Sequence, residues 1–288
     1  MEGRPGVAKP DPLLVADGIQ RRFEGLMAVD VEHLEVQRGA VTALIGPNGA
    51  GKTTLFNLLT GFDRSNSGTW SFEGRRIEGM APHRVARLGM VRTFQLTKSL
   101  AVMSVLDNLK LGARDQRGES FLRSLVRPLW SGQEREIEGR ADELLDRFNL
   151  LRVRDDFAGE LSGGQRKLLE MARALMVSPT MVMLDEPMAG VNPALKQSLL
   201  EHIRNLKDEG MTVMFVEHDM DVVYGISDWV VVMAEGRVIA EGLPEDIGAN
   251  DEVIDAYLGA HHDAPLTFEE EERQLRESES AEAEEEGS

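Results

Sequence analysis

The chain has no cysteine, no long apolar run and a shortage of basic residues, and each absence removes a class of protein. Without cysteine, neither a disulfide framework nor a thiolate metal site is available, which agrees with a cytoplasmic setting. Apolar runs such as Trp229–Ala234 fall far short of the ~20 residues a membrane helix needs. The chain is therefore not expected to cross a bilayer by itself. Lysine and arginine number 32 against 50 acids, for a net charge of −18. Extended nucleic acid demands a basic face and is excluded as a partner. Met1–Pro12 lacks a basic stretch followed by an apolar core, so it reads as a flexible leader and not a secretory signal.

What is present suits one large domain: 288 residues bury a substantial core and leave room for a single nucleotide-binding unit. Asp263–Ser288 carries eleven acids against two arginines, half of the net charge. Such Glu/Ser-rich sequence cannot bury enough apolar surface to offset chain entropy, so residues 261–288 are expected to form an acidic, disordered tail, with the adjacent His261 and His262 solvated at its head. The fourteen methionines read as core filling.

Along the chain, short apolar alternations run from Leu13 to Gly46, and Val41–Ile45 has the signature of a buried strand. Lys52–Thr60 has helical spacing, and Thr69–Phe72 reads as a further strand. Between Met103 and Leu151 the pattern turns helical, interrupted by Gly112, Gly118, Pro128 and Gly132, as for an inserted helical subdomain spanning about 96–178. An amphipathic helix from Gln165 to Met176 stops before Ser178-Pro179. Strands at Met181–Leu184, Thr212–Val216 and Trp229–Met233 alternate with helices near Pro193–Glu209 and Asp219–Ser227, the order of a parallel sheet with crossovers. Arg237–Glu241 is expected to close a hairpin.

The chemistry concentrates in three motifs. Gly46-Pro47-Asn48-Gly49-Ala50-Gly51-Lys52-Thr53 fits the pattern in which small residues let backbone N–H groups wrap phosphates, with Thr54 continuing the set. The helix that follows would point its positive end at the same phosphates. Lys52 would neutralise the β- and γ-phosphates of ATP, and Thr53 would offer its hydroxyl to Mg²⁺. Asp185, at the carboxyl end of a buried strand, is the expected second metal contact. Side chains alternate along a strand, so Glu186 would face elsewhere and act as base on an attacking water. Gln95 would touch Mg²⁺ or that water through its amide oxygen. His218, after the strand Thr212–Glu217, would sense the γ-phosphate. Phe23 would stack on the base, with a core phenylalanine as the alternative. The third motif is Leu161-Ser162-Gly163-Gly164-Gln165, 20 residues before Asp185. It opens a helix whose N-terminus would present Ser162, Gly163, Gly164 and Gln165 to the γ-phosphate of a nucleotide held by another chain.

Gly46–Thr53, Gln95, Leu161–Gln165, Met181–Glu186, Gly190-Val191-Asn192 and His218 together resemble the ABC-transporter ATPase family over about Leu13 to Ala260. The resemblance implies an α/β fold: a P-loop NTPase core with an antiparallel β subdomain and an inserted helical subdomain, the cassette occupying 13–260 after a leader of 1–12. It also implies a head-to-tail dimer with two ATP sites that closes on ATP and opens after hydrolysis. Val91–Gln95, Asn57–Phe62, Glu217–Met220, Gly225–Asp228 and Ala256–Gly259 narrow the likeness to ATPase subunits of branched-chain amino-acid uptake systems and their urea and amide relatives. The implied partners are two transmembrane permease subunits, a second ATPase subunit (the same or a related chain) and, indirectly, an extracytoplasmic solute-binding protein. The implied place is the cytoplasmic face of the plasma membrane. The intact LSGGQ departs from the degenerate signature of many subgroup members. An exporter ATPase and a soluble ABC ATPase of DNA repair or translation are the competing classes. The long helical insertion argues against the first, and the lack of tandem cassettes against the second.

Overall fold

A sequence whose central segments are continuously apolar can bury them only between two layers, and the structure does so. The computed structural model describes residues 5–93, 100–114 and 131–262. In chain order its elements are β1 (Pro12–Phe23), β2 (Leu26–Gln37), β3 (Val41–Ile45), α1 (Lys52–Leu59), β4 (Ser67–Phe72), β5 (Arg75–Arg76), α2 (Pro82–Leu88), β6 (Met90–Arg92), α3 (Val105–Lys110), α4 (Ser131–Arg147), α5 (Gly163–Leu175), β7 (Met181–Asp185), α6 (Pro193–Asp208), β8 (Thr212–Val216), α7 (Met220–Ile226), β9 (Trp229–Ala234), β10 (Arg237–Gly242), α8 (Pro244–Gly248) and α9 (Asp251–His262). Short 3₁₀ turns lie at Leu151–Val153 and Ala158–Glu160.

Six strands form one sheet in the order β10-β9-β3-β8-β7-β6. Its β6, β7, β8, β3 and β9 are parallel, and β10 closes the edge as the antiparallel hairpin partner of β9. A second, antiparallel sheet has the order β2-β1-β4-β5. The two-residue period of a strand sorts the central side chains between two cores. Val182 and Leu184 of β7, Val213 and Phe215 of β8, and Val230 and Val232 of β9 face one core with α5, α6 and α7. Met181 and Met183, Met214 and Val216, and Val231 and Met233 face the other, which holds α1 and the antiparallel sheet. Four of these are methionines, in line with their expected use as filling.

Helix limits follow local chemistry. Asn192 caps α6 by accepting from the Leu195 amide at 3.0 Å, with Pro193 at the first helical position. Asp219 caps α7 through the amides of Asp221 and Val222. The strand β4 begins at Ser67, earlier than the expected Thr69, because Ser67 pairs with Gln20 of β1. The last helix runs to His262, past the expected boundary at Ala260. The acidic segment 263–288 lies outside the described residues.

The expected flexible leader is corrected over its described part. Glu241 of β10 is buried and accepts three hydrogen bonds: the Val7 amide at 2.7 Å, the Lys9 ammonium at 2.8 Å and the Trp229 indole N–H at 2.8 Å. The Lys9 ammonium also lies 3.8 Å from the Trp229 ring centroid, and the Lys9 amide donates to Glu35 of β2. Residues 7–9 thus join the edges of both sheets. Sequence pattern misses this because the partner carboxylate is more than 200 positions away.

Replacing Glu241 with alanine leaves a buried ammonium and two N–H groups without their acceptor. Glu241→Ala is expected to lower unfolding free energy by about 3–5 kcal/mol, measured by guanidinium denaturation at neutral pH. A loss below about 1 kcal/mol would mean that water replaces the carboxylate and that the strap contributes little.

Candidate active site

The carboxyl ends of β3, β7 and β8 lie side by side, and the polar residues of interest follow directly from them. The loop between β3 and α1 is shaped by glycine. Gly46 has φ +145°, and a Cβ there would stand 2.0 Å from the Met233 carbonyl oxygen. Gly51 has φ +96°, and a Cβ would stand 2.3 Å from the Ala28 oxygen. Neither position tolerates another residue. Gly51 caps α1 with no side-chain hydrogen bond to the first turn, leaving a helix N-terminus of the kind that binds phosphate. The Lys52 ammonium folds back on the same loop, donating to the carbonyls of Gly46 at 2.7 Å and Pro47 at 2.8 Å. Burial lowers the Lys52 pKa, with Glu186 and Asp185 opposing the shift. Pro47, Asn48, Gly49, Ala50, Thr53 and Thr54 complete the loop and first turn as expected from their order.

Asp185 ends β7 and, by strand parity, faces the same side as Met181 and Met183, toward α1. Its Oδ2 accepts from the Arg92 guanidinium at 2.6 Å, and both side chains are almost fully buried. Arg92 also donates to Asn57 Oδ1 of α1 at 2.6 Å. The other oxygen, Oδ1, is buried without a hydrogen-bond partner among the described residues. A carboxylate oxygen without a hydrogen-bond partner among the described residues, on the side of the sheet that carries α1, fits Mg²⁺, which takes one or two protein oxygens and draws the rest from phosphates and water.

Strand alternation does not apply at Glu186. The strand has already ended, and Glu186 has φ +45°, a left-handed conformation rare outside glycine. Its amide donates to the Val216 carbonyl at 3.1 Å, and its own carbonyl accepts from the Lys167 ammonium at 3.1 Å. The helix behind the LSGGQ motif is thereby fastened to the end of β7. Burial lowers the Lys167 pKa, against the opposing charges of Glu170, Glu217 and Glu186.

Ser162 caps α5 in a reciprocal box: its hydroxyl accepts from the Gln165 amide at 3.2 Å, and Gln165 Oε1 accepts from the Ser162 amide at 2.9 Å. The two glycines differ. A Cβ on Gly164 would stand 2.0 Å from Leu195 Cδ2 of α6, so its smallness serves packing within the chain. A Cβ on Gly163 would meet nothing within 4 Å, and Ser162 and Gly163 are exposed.

His218 follows β8, with its side chain 66% exposed. Phe23, at the end of β1, is exposed, which rules out the core alternative; the Arg21 guanidinium lies 4.2 Å from its ring centroid. Gln95 lies outside the described residues. Sequence reasoning passed over Arg92, Lys167 and Glu217. Arg92 and Glu217 carried a usable signal, a charged residue at the end of an apolar strand.

Because Arg92 and Asp185 form a buried pair, removing one partner strands the other. Arg92→Ala is expected to cost about 3–5 kcal/mol of stability in thermal or chemical denaturation. A change within about 1 kcal/mol would show that Asp185 is neutralised by other means.

Known proteins share this architecture. A family model described as ABC transporter matches residues 29–189, and one described as branched-chain amino acid ATP-binding cassette transporter matches residues 237–263. The probable branched-chain amino acid transport ATP-binding protein LivG of Archaeoglobus fulgidus is 44% identical over 248 residues, covering 86% of this chain and 96% of the relative. The high-affinity branched-chain amino acid transport ATP-binding protein BraF of Pseudomonas aeruginosa is 42% identical over 250 residues, covering 86% and 98%. Among solved structures, a nucleotide-free ATP-binding cassette from an ABC transporter superposes with a TM-score of 0.75 at 39% identity, covering 85% of this chain and 98% of the other. The ADP conformation of an ATP-binding cassette of an ABC transporter gives a TM-score of 0.75 at 39% identity, covering 86% and 99%. On these likenesses the chain belongs to the ABC transporter family as one of its ATP-binding cassettes.

Proposed function

We propose that this protein binds and hydrolyses ATP to drive an importer of branched-chain or other hydrophobic amino acids. The observation that carries the reading is likeness along nearly the full length of proteins named for that transport. The site chemistry supports the ATPase half. Lys52 and the amides at the start of α1 would hold the β- and γ-phosphates, displacing the ammonium from the Gly46 and Pro47 carbonyls. Thr53 and Asp185 Oδ1 would hold Mg²⁺, which neutralises developing phosphate charge when bound. Glu186 would take a proton from the attacking water, His218 would contact the γ-phosphate, Gln95 would complete the water or metal contacts, and Phe23 would lie against the base.

The exposed Ser162 and Gly163 support action across a dimer. Gly163 meets no steric limit among the described residues of its own chain, so its lack of a side chain is available to a nucleotide held by a second cassette. That second cassette is this chain or a related one. The permease partners would dock where Leu100, Val102 and Phe157 expose apolar side chains. The backbone brings these together, because Ala158 donates to the Met103 carbonyl and Gly159 to that of Ala101. Such docking would place the protein at the cytoplasmic face of the plasma membrane; among the described residues no helix is long and apolar enough to cross a membrane.

Glu186→Gln is expected to keep ATP affinity while lowering turnover by 10²-fold or more, roughly the contribution of a general base, and to accumulate an ATP-bound dimer in size-exclusion chromatography. Normal turnover would remove Glu186 as base. Lys52→Ala is expected to weaken ATP binding by at least about tenfold in titration calorimetry, because a phosphate charge loses its partner. Affinity capture of the Glu186→Gln protein with ATP from native membranes in mild detergent, followed by mass spectrometry, is expected to recover two permeases, a second cassette and a solute-binding protein. Soluble partners without permeases would overturn the transport reading.

A further inference from the structure

Glu217 lies immediately after β8, between the strand and His218, and is 1% exposed. Strand parity places it on the face of Val213 and Phe215, away from α1 and toward α6. One carboxylate oxygen accepts from the Met188 amide at 2.9 Å, and the other accepts from the His218 amide at 3.3 Å. Met188 begins the turn Met188–Asn192 that leads from Glu186 into α6. The Glu186 amide is itself bound to the Val216 carbonyl. A single buried carboxylate therefore sits where the segment after Glu186 and the segment bearing His218 meet. Between these segments opens a cleft of about 440 Å³ lined in part by Ala189, Gly190, Val191 and Gln197, into which either could move. The one other side-chain link seen across it among the described residues is the half-buried pair of Lys196 with Asp219.

We propose that Glu217 is a positioning residue that makes the displacement of His218 and that of the Met188–Asn192 turn a single event. Two hydrogen bonds accepted by one buried carboxylate couple the segments that donate them, because displacing either donor disturbs the shared acceptor. Burial raises the Glu217 pKa, and the hydrogen bonds from the Met188 and His218 amides oppose that shift. A change at His218 is thus passed to the turn behind the base, and through Glu186 to Lys167 on the signature helix. The consequence for turnover rests on the roles proposed above for Glu186 and His218; the mechanical link does not.

The test is hydrogen–deuterium exchange on the nucleotide-free full-length protein, wild type against Glu217→Ala, Glu217→Gln and Lys196→Ala, with ATPase kinetics on the same samples. Glu217→Ala is expected to speed exchange of the Met188 amide and of residues 218–222 together, by about tenfold, the effect of losing one buried hydrogen bond. Glu217→Gln keeps an acceptor for Met188 and is expected to restore most of that protection, while Lys196→Ala leaves it within about threefold of wild type. In kinetics, Glu217→Ala is expected to lower kcat at least about fivefold with KM for ATP within about twofold, and Glu217→Gln to recover much of kcat. Unchanged Met188 exchange in Glu217→Ala, or loosening of one segment alone, overturns the link. Coupled loosening with unchanged kcat overturns its part in turnover. An inactive wild type would instead remove the ATPase reading, and the exchange result would still decide whether Glu217 joins the two segments.

Discussion

The central strands β3, β7, β8 and β9 are buried on both faces, and this governs where polar chemistry can occur. A charged side chain inside these strands would meet hydrocarbon on either side, so the acids sit where the strands end. Asp185 and Glu217 are both strand-end carboxylates, yet parity sends them to opposite faces of the sheet. Asp185 turns toward α1 and the phosphate loop. Glu217 turns toward α6 and the turn after Glu186. Each is buried, and each has a partner that prevents an uncompensated charge: a guanidinium for one, backbone amides for the other.

The same sheet edge brings motifs distant in the sequence close together. The phosphate loop follows β3, Glu186 follows β7 and His218 follows β8, and these three strands are neighbours. The signature helix α5 reaches the edge through Lys167, whose long side chain spans from the helical region to the Glu186 carbonyl. Its N-terminal box holds Ser162 and Gln165 in fixed geometry without using the exposed face of Gly163. A helix that is capped, anchored behind and open in front is suited to meeting a nucleotide from outside its own chain.

Stability and site geometry are joined at one more place. The Val7–Lys9 strap ties β10 to β2, and the β9–β10 turn donates the Gly236 amide to Ala50 of the phosphate loop at 3.1 Å. Asp30 of β2 donates its amide to Gly236 in turn, at 2.7 Å. The antiparallel sheet therefore braces the loop that would receive phosphate, and residues ahead of the first strand belong to that brace.

Local pattern by itself determined the buried strands, the crossover order, the phosphate loop, the signature helix and the strand-end position of Asp185, because these depend on apolar periodicity, glycine spacing and capping chemistry within a few residues. Tertiary structure decided the rest. Arg92 meets Asp185 across 93 positions, Glu217 meets Met188 across 29, and Val7 meets Glu241 across 234. A charge at a strand end, such as Arg92 or Glu217, is legible in the sequence, but its partner is recognisable only once the surroundings have assembled. Even the backbone at Glu186, expected to continue the alternation of the strand, takes a left-handed turn held by its bonds to β8 and Lys167.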